Sequence, residues 1–402
     1  MESTGKHPQP RFVTRSTLDI AMALLMLGTT LSIVWLSFTH RAAWLADWPD
    51  YSHMVSSLPD PGAWLRWVVG DISEVAFYKH EFASIGLLAG AYLAYWANRT
   101  GKAWQGFPIC YGSGLWPWLI SSSLLGLLLS NLLWGWTVTA TSWQPTFAAF
   151  VSLPAAMVLM FGGGWKVTIN GAIMGAVLVT PMCLLIVNYV CNPLGLPVVI
   201  GNVSGMAVAS VLAFVLCRYL PSLVKSDHSE PAVEPAPEPA QALKPDYGVV
   251  WSLRRVLADF SEAPFFGNEW ASLGLIVGAL LAFTLNPLSP VYGSGLLLQL
   301  IGAQALTSAL GVVIWRRQWM RHGWYPTYVP LVSVVPAAVL TYGGSWSVIV
   351  SSALLGALLA PPLACALAAR LPSFMHGFIG NVLSMAVSTL VILPIVGGLA
   401  GL

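Results

Sequence analysis

Apolar residues in this chain do not alternate with polar ones. They form long unbroken runs at 17–38, 82–97, 113–136, 146–161, 167–190 and 196–217. After a polar interval the runs resume at 270–285, 293–315, 327–342, 347–369 and 377–400. About 20 apolar residues in a helix cross a hydrocarbon layer of roughly 30 Å. The alternation expected of an outer-membrane barrel is missing, so the pattern predicts helices. The reading is an all-α integral membrane protein with about eleven transmembrane helices. Run 17–38 exceeds a signal-peptide core and lacks a clear cleavage site, so it is read as a retained span. Composition agrees: of 402 residues, 56% are hydrophobic and 8% charged, where soluble domains carry about 25% charge.

The runs fall into two copies. Asp71–Gly86 reads DISEVAFYKHEFASIG and Asp259–Gly274 reads DFSEAPFFGNEWASLG, with the same residue at eight of sixteen positions. Tyr111-Gly112-Ser113-Gly114-Leu115 returns as Tyr292-Gly293-Ser294-Gly295-Leu296, and Pro145-Thr146 as Pro326-Thr327. Pro154-Ala155-Ala156 returns as Pro336-Ala337-Ala338, and Gly201-Asn202-Val203 as Gly380-Asn381-Val382. Shared order and near-equal spacing mark an internal duplication. The expected organisation is 1–38, cytoplasmic N-terminus and first span; 39–70, external loop; 71–219, first copy; 220–249, a disordered Pro/Glu/Ala cytoplasmic linker; and 250–402, second copy. The tract SEPAVEPAPEPAQALKP in that linker has too little apolar surface to build a core.

Each copy holds five runs, so the second inserts upside down if the linker stays on one side. Loop charge gives the orientation. With the N-terminus in the cytoplasm, fifteen of the eighteen Lys and Arg fall inside, and Arg41, Arg66 and Lys79 fall outside. The expectation is one plus five plus five inverted helices in the cell inner membrane, N-terminus cytoplasmic and C-terminus external. In such folds the permeation site lies where the repeats meet.

Acidic residues narrow the candidate chemistry. None occurs between Glu81 and Asp227 or after Glu269. Glu74 and Glu81 thus mirror Glu262 and Glu269 as the carboxylates adjoining the two bundles. Either they face a pore and orient a polar solute, or they sit at helix N-termini where the dipole favours Glu. Phe77 and Phe265 are either interfacial anchors or a pair of constrictions on a shared path. Asn202 and Asn381, early in the last run of each copy, either join helices or offer donors and acceptors to a solute. Pro154 and Pro336 lie in short runs ending in Gly-Gly, as in half-length helices or kinks. His376 begins the last run and is read as interfacial. Asn131 has Val312 as its counterpart and breaks the repeat. Cys110, Cys183, Cys191, Cys217 and Cys365 have no metal-ligand spacing, so no metal or cofactor is expected. A net charge of +2 gives no reason to expect nucleic acid.

SEVAFYKHEFASIGLLAG and SEAPFFGNEWASLGLIVG as opening helices, with GLPVVIGN and GALLAPPLACALAARL toward the close, resemble the urea transporters. Those are channels of 5+5 inverted repeats that assemble as trimers with one pore per subunit. The resemblance implies that Glu74 and Glu262 take the place of that family's Gln or Glu, and Phe77 and Phe265 the place of its Phe rings. It also implies a homotrimer. The family's Leu-Pro-x-x-Thr-x-Pro-Phe turn is changed here: Leu196-Pro197 is followed by Ile200 and Asn202. The expected function is a channel or transporter for a small urea-, amide- or amine-like solute, lined by Glu74, Glu262, Phe77, Phe265, Glu81, Glu269, Asn202 and Asn381. A transporter coupled to H⁺ or Na⁺ and a non-transporting scaffold are the alternatives. No enzyme is expected, because the spans lack a nucleophile–base or metal constellation.

Overall fold

A computed structural model describes residues 48–139, 143–224 and 247–401. The expected first span 17–38 and most of the linker lie outside the described residues. The regular elements are helices. Among the described residues, six are long and apolar enough to cross a membrane: Trp116–Thr137, Trp165–Leu194, Val198–Tyr219, Leu297–Ile314, Trp346–Ala368 and Phe378–Leu399. Even the shortest, with 18 residues, rises about 27 Å. Large apolar side chains such as Leu132, Leu185 and Val313 stand exposed on them, as an apolar solvent allows.

The opener is more helical than expected. Part of the predicted loop 39–70 forms α1, Tyr51–Ser56, and α2, Pro61–Glu74. Pro61 suits a helix start, where its missing N–H costs nothing, and Ala63, Trp67 and Gly70 give α2 a buried face. Phe77 and Lys79 then take left-handed backbone conformations, with φ of 68° and 44°. His80 caps the next helix by accepting from the Phe82 amide at 3.1 Å. That helix is α3, Glu81–Arg99. α4 is Trp116–Trp134. A 3-10 turn, Thr146–Ala149, precedes the short α5, Leu153–Phe161. Pro154 lies in the first turn of α5, so it starts the helix rather than kinking it. α6, Trp165–Leu194, contains two π-turns, and α7 is Val198–Tyr219.

The second copy runs in the same order. α8, Val249–Asp259, leads into a turn with Phe265 and Gly267 at φ of 64° and 55°. α9 is Glu269–Leu285 and α10 Leu297–Ile314. The basic α11, Arg316–His322, precedes a 3-10 turn and the short α12, Val334–Tyr342. α13 is Trp346–Ala368 and α14 Phe378–Leu399.

α3 and α9 cross at glycine. A Cβ added to Gly86 would stand 2.0 Å from the Gly274 carbonyl oxygen, and one added to Gly274 equally close to that of Gly86. Gly90 lies against the Trp270 carbonyl and Gly278 against that of Phe82 in the same way. Each helix thus presents a Gly-x-x-x-Gly stripe, Gly86/Gly90 and Gly274/Gly278, that lets the backbones touch. This crossing brings the left-handed turns carrying Phe77 and Phe265 to one central cavity.

Candidate functional site

The cavity has a volume of about 400 Å³. Its wall is mainly apolar, with Val75, Phe77, Phe147, Val203, Phe265, Phe378 and Met385 among the contributors. Polar groups come from Tyr51, Glu74, Asn202, Tyr292, Tyr328 and Thr341. Concave, mostly apolar, with few converging polar groups: this is the form of a small-molecule site.

Glu74 is buried at the end of α2. Its Oε1 accepts from Trp143 Nε1 at 2.6 Å and from the Tyr292 hydroxyl at 3.1 Å. Its Oε2 pairs with Lys79 Nζ at 2.8 Å. Lys79 also pairs with Asp71, and its ammonium lies 3.6 Å from the centre of the Trp67 ring. Asp71 Oδ2 accepts from Asn131 Nδ2 at 2.9 Å and from the Thr146 hydroxyl at 2.7 Å. A buried carboxylate is tolerable only when paired and hydrogen-bonded, and both are.

The second copy builds a matching cluster from different positions. Glu262 accepts from Trp324 Nε1 at 2.8 Å, pairs with Arg255 at 2.5 Å and is hydrogen-bonded by Tyr111. Asp259 Oδ2 accepts from the Ser308 and Thr327 hydroxyls at 2.6 and 2.9 Å. In sequence register Arg255 corresponds to Trp67, and Gly267 to Lys79. The cation has moved from turn to helix while reaching the same two carboxylates. Gly267 leaves room for this: a Cβ there would stand 2.5 Å from Glu262 Oε2. Ser308 corresponds to Leu127, one helical turn before Asn131, so the donor to the aspartate has shifted by a turn. Asn131 and Val312 break the repeat in sequence, yet Asp71 and Asp259 each keep a helix donor.

Tyrosines tie the copies together. Tyr292 of the second copy reaches Glu74 of the first, and Tyr111 of the first reaches Glu262 of the second. The backbone does likewise: the Val291 amide donates to the Tyr78 carbonyl at 2.9 Å and the Cys110 amide to that of Phe266 at 3.2 Å.

Of the eight sequence candidates, Glu74, Phe77, Phe265 and Asn202 line the cavity. Glu262 lies in its own ion-pair cluster. Glu81 and Glu269 open α3 and α9, where they pair with Arg66 at 2.6 Å and Arg254 at 2.8 Å. Asn381 donates to the Tyr328 hydroxyl at 2.9 Å. Asn202 is buried, and its Oδ1 has no hydrogen-bond partner among the described residues. Sequence reasoning missed Trp143, Tyr292 and Tyr328 as wall residues. The shared Trp-x-Pro-Thr of Trp143–Thr146 and Trp324–Thr327 was a usable signal for the first. His376 packs on Phe265 and Phe378, with ring centres 5.9 and 5.7 Å away.

No protein-family model matches this chain, and no curated protein matches it significantly.

Proposed function

We propose that the chain is a membrane channel or transporter that moves a small polar solute of the urea, amide or amine kind through the cavity where its two copies meet. The observation that carries this reading is a mainly apolar cavity of about 400 Å³ whose wall holds the buried carboxylate residue Glu74 and the amide residue Asn202. Liquid water takes about 30 Å³ per molecule, so this space admits a small organic solute together with several waters.

The reading includes eleven spans, one plus five plus five inverted, as in the urea transporters, with a trimer as the assembled form. The short apolar helices, ending at Phe161 and Tyr342, are then the half-length elements that transporter sites use. It places the chain in the inner membrane with a cytoplasmic N-terminus. Lys79 and Arg255 are buried in ion pairs and drop out of the loop-charge comparison, one from each side, and the bias remains.

A transporter coupled to H⁺ or Na⁺ is the second reading, favoured by two buried clusters that each hold two carboxylates and one cation. Uptake of a panel of small amides, amines and ureas into proteoliposomes tests both. Fast uptake of one solute without an ion gradient supports the channel. Uptake that needs a pH or Na⁺ gradient supports coupling. Absence of uptake across the panel refutes both and leaves a scaffold.

A further inference from the structure

We infer that Glu74 and Asp71 share one proton at neutral pH, and that this proton is the ion a coupled transporter of the kind described above carries. The coupling rests on that reading; the shared proton does not. Each cluster holds two acids and one cation, yet the two differ oxygen by oxygen. In the second copy every carboxylate oxygen accepts a hydrogen bond. Asp259 Oδ1 accepts from Arg255 Nε at 3.0 Å and Glu262 Oε2 from Arg255 Nη2 at 2.5 Å, so the guanidinium bridges the acids. Ser308, Thr327 and Trp324 serve the other two oxygens. In the first copy Lys79 donates to Asp71 Oδ1, Asn131 and Thr146 to Asp71 Oδ2, and Trp143 and Tyr292 to Glu74 Oε1. Glu74 Oε2 accepts no hydrogen bond among the described residues, although it is buried and Lys79 lies 2.8 Å away. The Glu74 carboxyl is instead hydrogen-bonded to that of Asp71, three residues back on the same helix. Two unprotonated carboxylates cannot bond each other, since neither has a hydrogen to give. Oε2 is the oxygen left to carry the proton, which makes it a donor and removes the excess charge.

The charged and titratable groups facing Glu74 are Asp71 on its own helix, Lys79 on the following turn, Tyr51 of α1 and Tyr292 of the second copy. Arg66 and His80 turn to Glu81. Lys79 is thus one cation for two buried acids, and like charges sharing such a site keep one acid protonated. Hard metal ions take several oxygen ligands at once, and one unengaged oxygen is too few. A solute does not reach it, because Glu74 is only 1% exposed. A proton needs no room, only a chain of hydrogen bonds. Tyr292 provides that chain: it lines the cavity, and its hydroxyl stands 3.1 Å from Glu74 Oε1. When the carboxyl turns over, the protonated oxygen meets this hydroxyl. The tyrosine oxygen takes that proton as its own passes to water in the cavity, which leaves Glu74 a carboxylate and the tyrosine unchanged. In the second copy Arg255, bonded to both acids, leaves no oxygen to hold a proton.

Infrared spectroscopy of the full chain in proteoliposomes tests the proton, and a dye that reports the pH inside them tests its use. Wild type at neutral pH should show the C=O band of a protonated carboxyl. The band should move when glutamate is labelled with heavy carbon, an assignment that needs no substitution. Glu74→Gln should lose the band and Glu262→Gln keep it. Tyr292→Phe should keep the band and slow its shift in heavy water severalfold. Adding urea or acetamide outside should acidify the interior with wild type and leave it unchanged with Glu74→Gln. No band, a band that ignores glutamate labelling, or a band that survives Glu74→Gln overturns the shared proton. An unchanged shift rate in Tyr292→Phe overturns the tyrosine route. Solute uptake without acidification refutes the coupling alone. Neither uptake nor acidification refutes transport, and the band decides the proton in every case.

Discussion

The side chain of Lys79 is fully buried. It pairs with Asp71 and Glu74, whose side chains are fully buried as well, and lies on the face of Trp67. Removing one partner of a buried pair typically costs about 3–5 kcal/mol, because the remaining charge has no compensation. Lys79→Met should cost about that much, read by unfolding in mixed micelles. Lys79→Gly should cost about 1 kcal/mol less, since glycine accepts φ of 44° without strain. The second copy supplies the repair. Its Arg255, at the position of Trp67, donates through Nε to Asp259 at 3.0 Å and through Nη2 to Glu262 at 2.5 Å, with Gly267 giving the space. Trp67→Arg combined with Lys79→Gly should therefore recover about 2 kcal/mol or more of the loss. If Lys79→Gly lies within about 1 kcal/mol of wild type, the cation does not hold the two acids. If the double variant is no better than Lys79→Gly, the two clusters are not interchangeable and the correspondence between copies fails at this site.

Asn131→Val removes a donor to Asp71 and leaves Thr146 to serve that oxygen; about 1–3 kcal/mol should be lost, and Leu127→Ser should restore part of it by reproducing Ser308. Gly86→Ala must part α3 and α9, since ordinary contact begins near 3.4 Å and the Gly274 oxygen stands at 2.0 Å. Overpacking of this kind costs about 1–3 kcal/mol. Gly302→Ala on α10, where no atom lies within 4 Å, should be neutral or gain up to about 1 kcal/mol; equal losses at both glycines would refute the crossing. Arg66→Ala and Arg254→Ala remove pairs at the partly exposed starts of α3 and α9, and each should change stability by about 1 kcal/mol or less. A loss above about 3 kcal/mol in the same unfolding assay would show that these pairs hold the fold.

The helices were legible because lipid-facing segments need long apolar runs. The limits 167–190 and 377–400, for instance, became Trp165–Leu194 and Phe378–Leu399. The openers were legible because Asp71, Ser73, Glu74 and Phe77 have the same residues in the second copy, as does Thr146, which meets Asp71. The Lys79–Arg255 exchange was hidden, because position along the chain does not show which side chains reach one point from a turn and a helix. The exchange of Asn131 for Ser308 was hidden for the same reason, one helical turn being four residues of register. Phe77 and Phe265 were named, but the left-handed backbone that aims them inward has no sequence signature at phenylalanine. The asymmetry of Asn202 and Asn381 was invisible because it depends on Tyr328 and Phe147, distant in sequence. Gly86/Gly90 and Gly274/Gly278 were readable as paired stripes and passed unnoticed.

The crossed tyrosines also impose a timetable on synthesis. Glu262 finds Tyr111 already made when it leaves the ribosome. Glu74 must wait for Tyr292, 218 residues later, which at about 5–20 residues per second is roughly ten to forty seconds. Until then its carboxylate has Lys79 and, once the chain is 69 residues further on, Trp143. The half born first is the half left incomplete, and newborn chains are most vulnerable to misassembly and proteolysis before the second copy arrives.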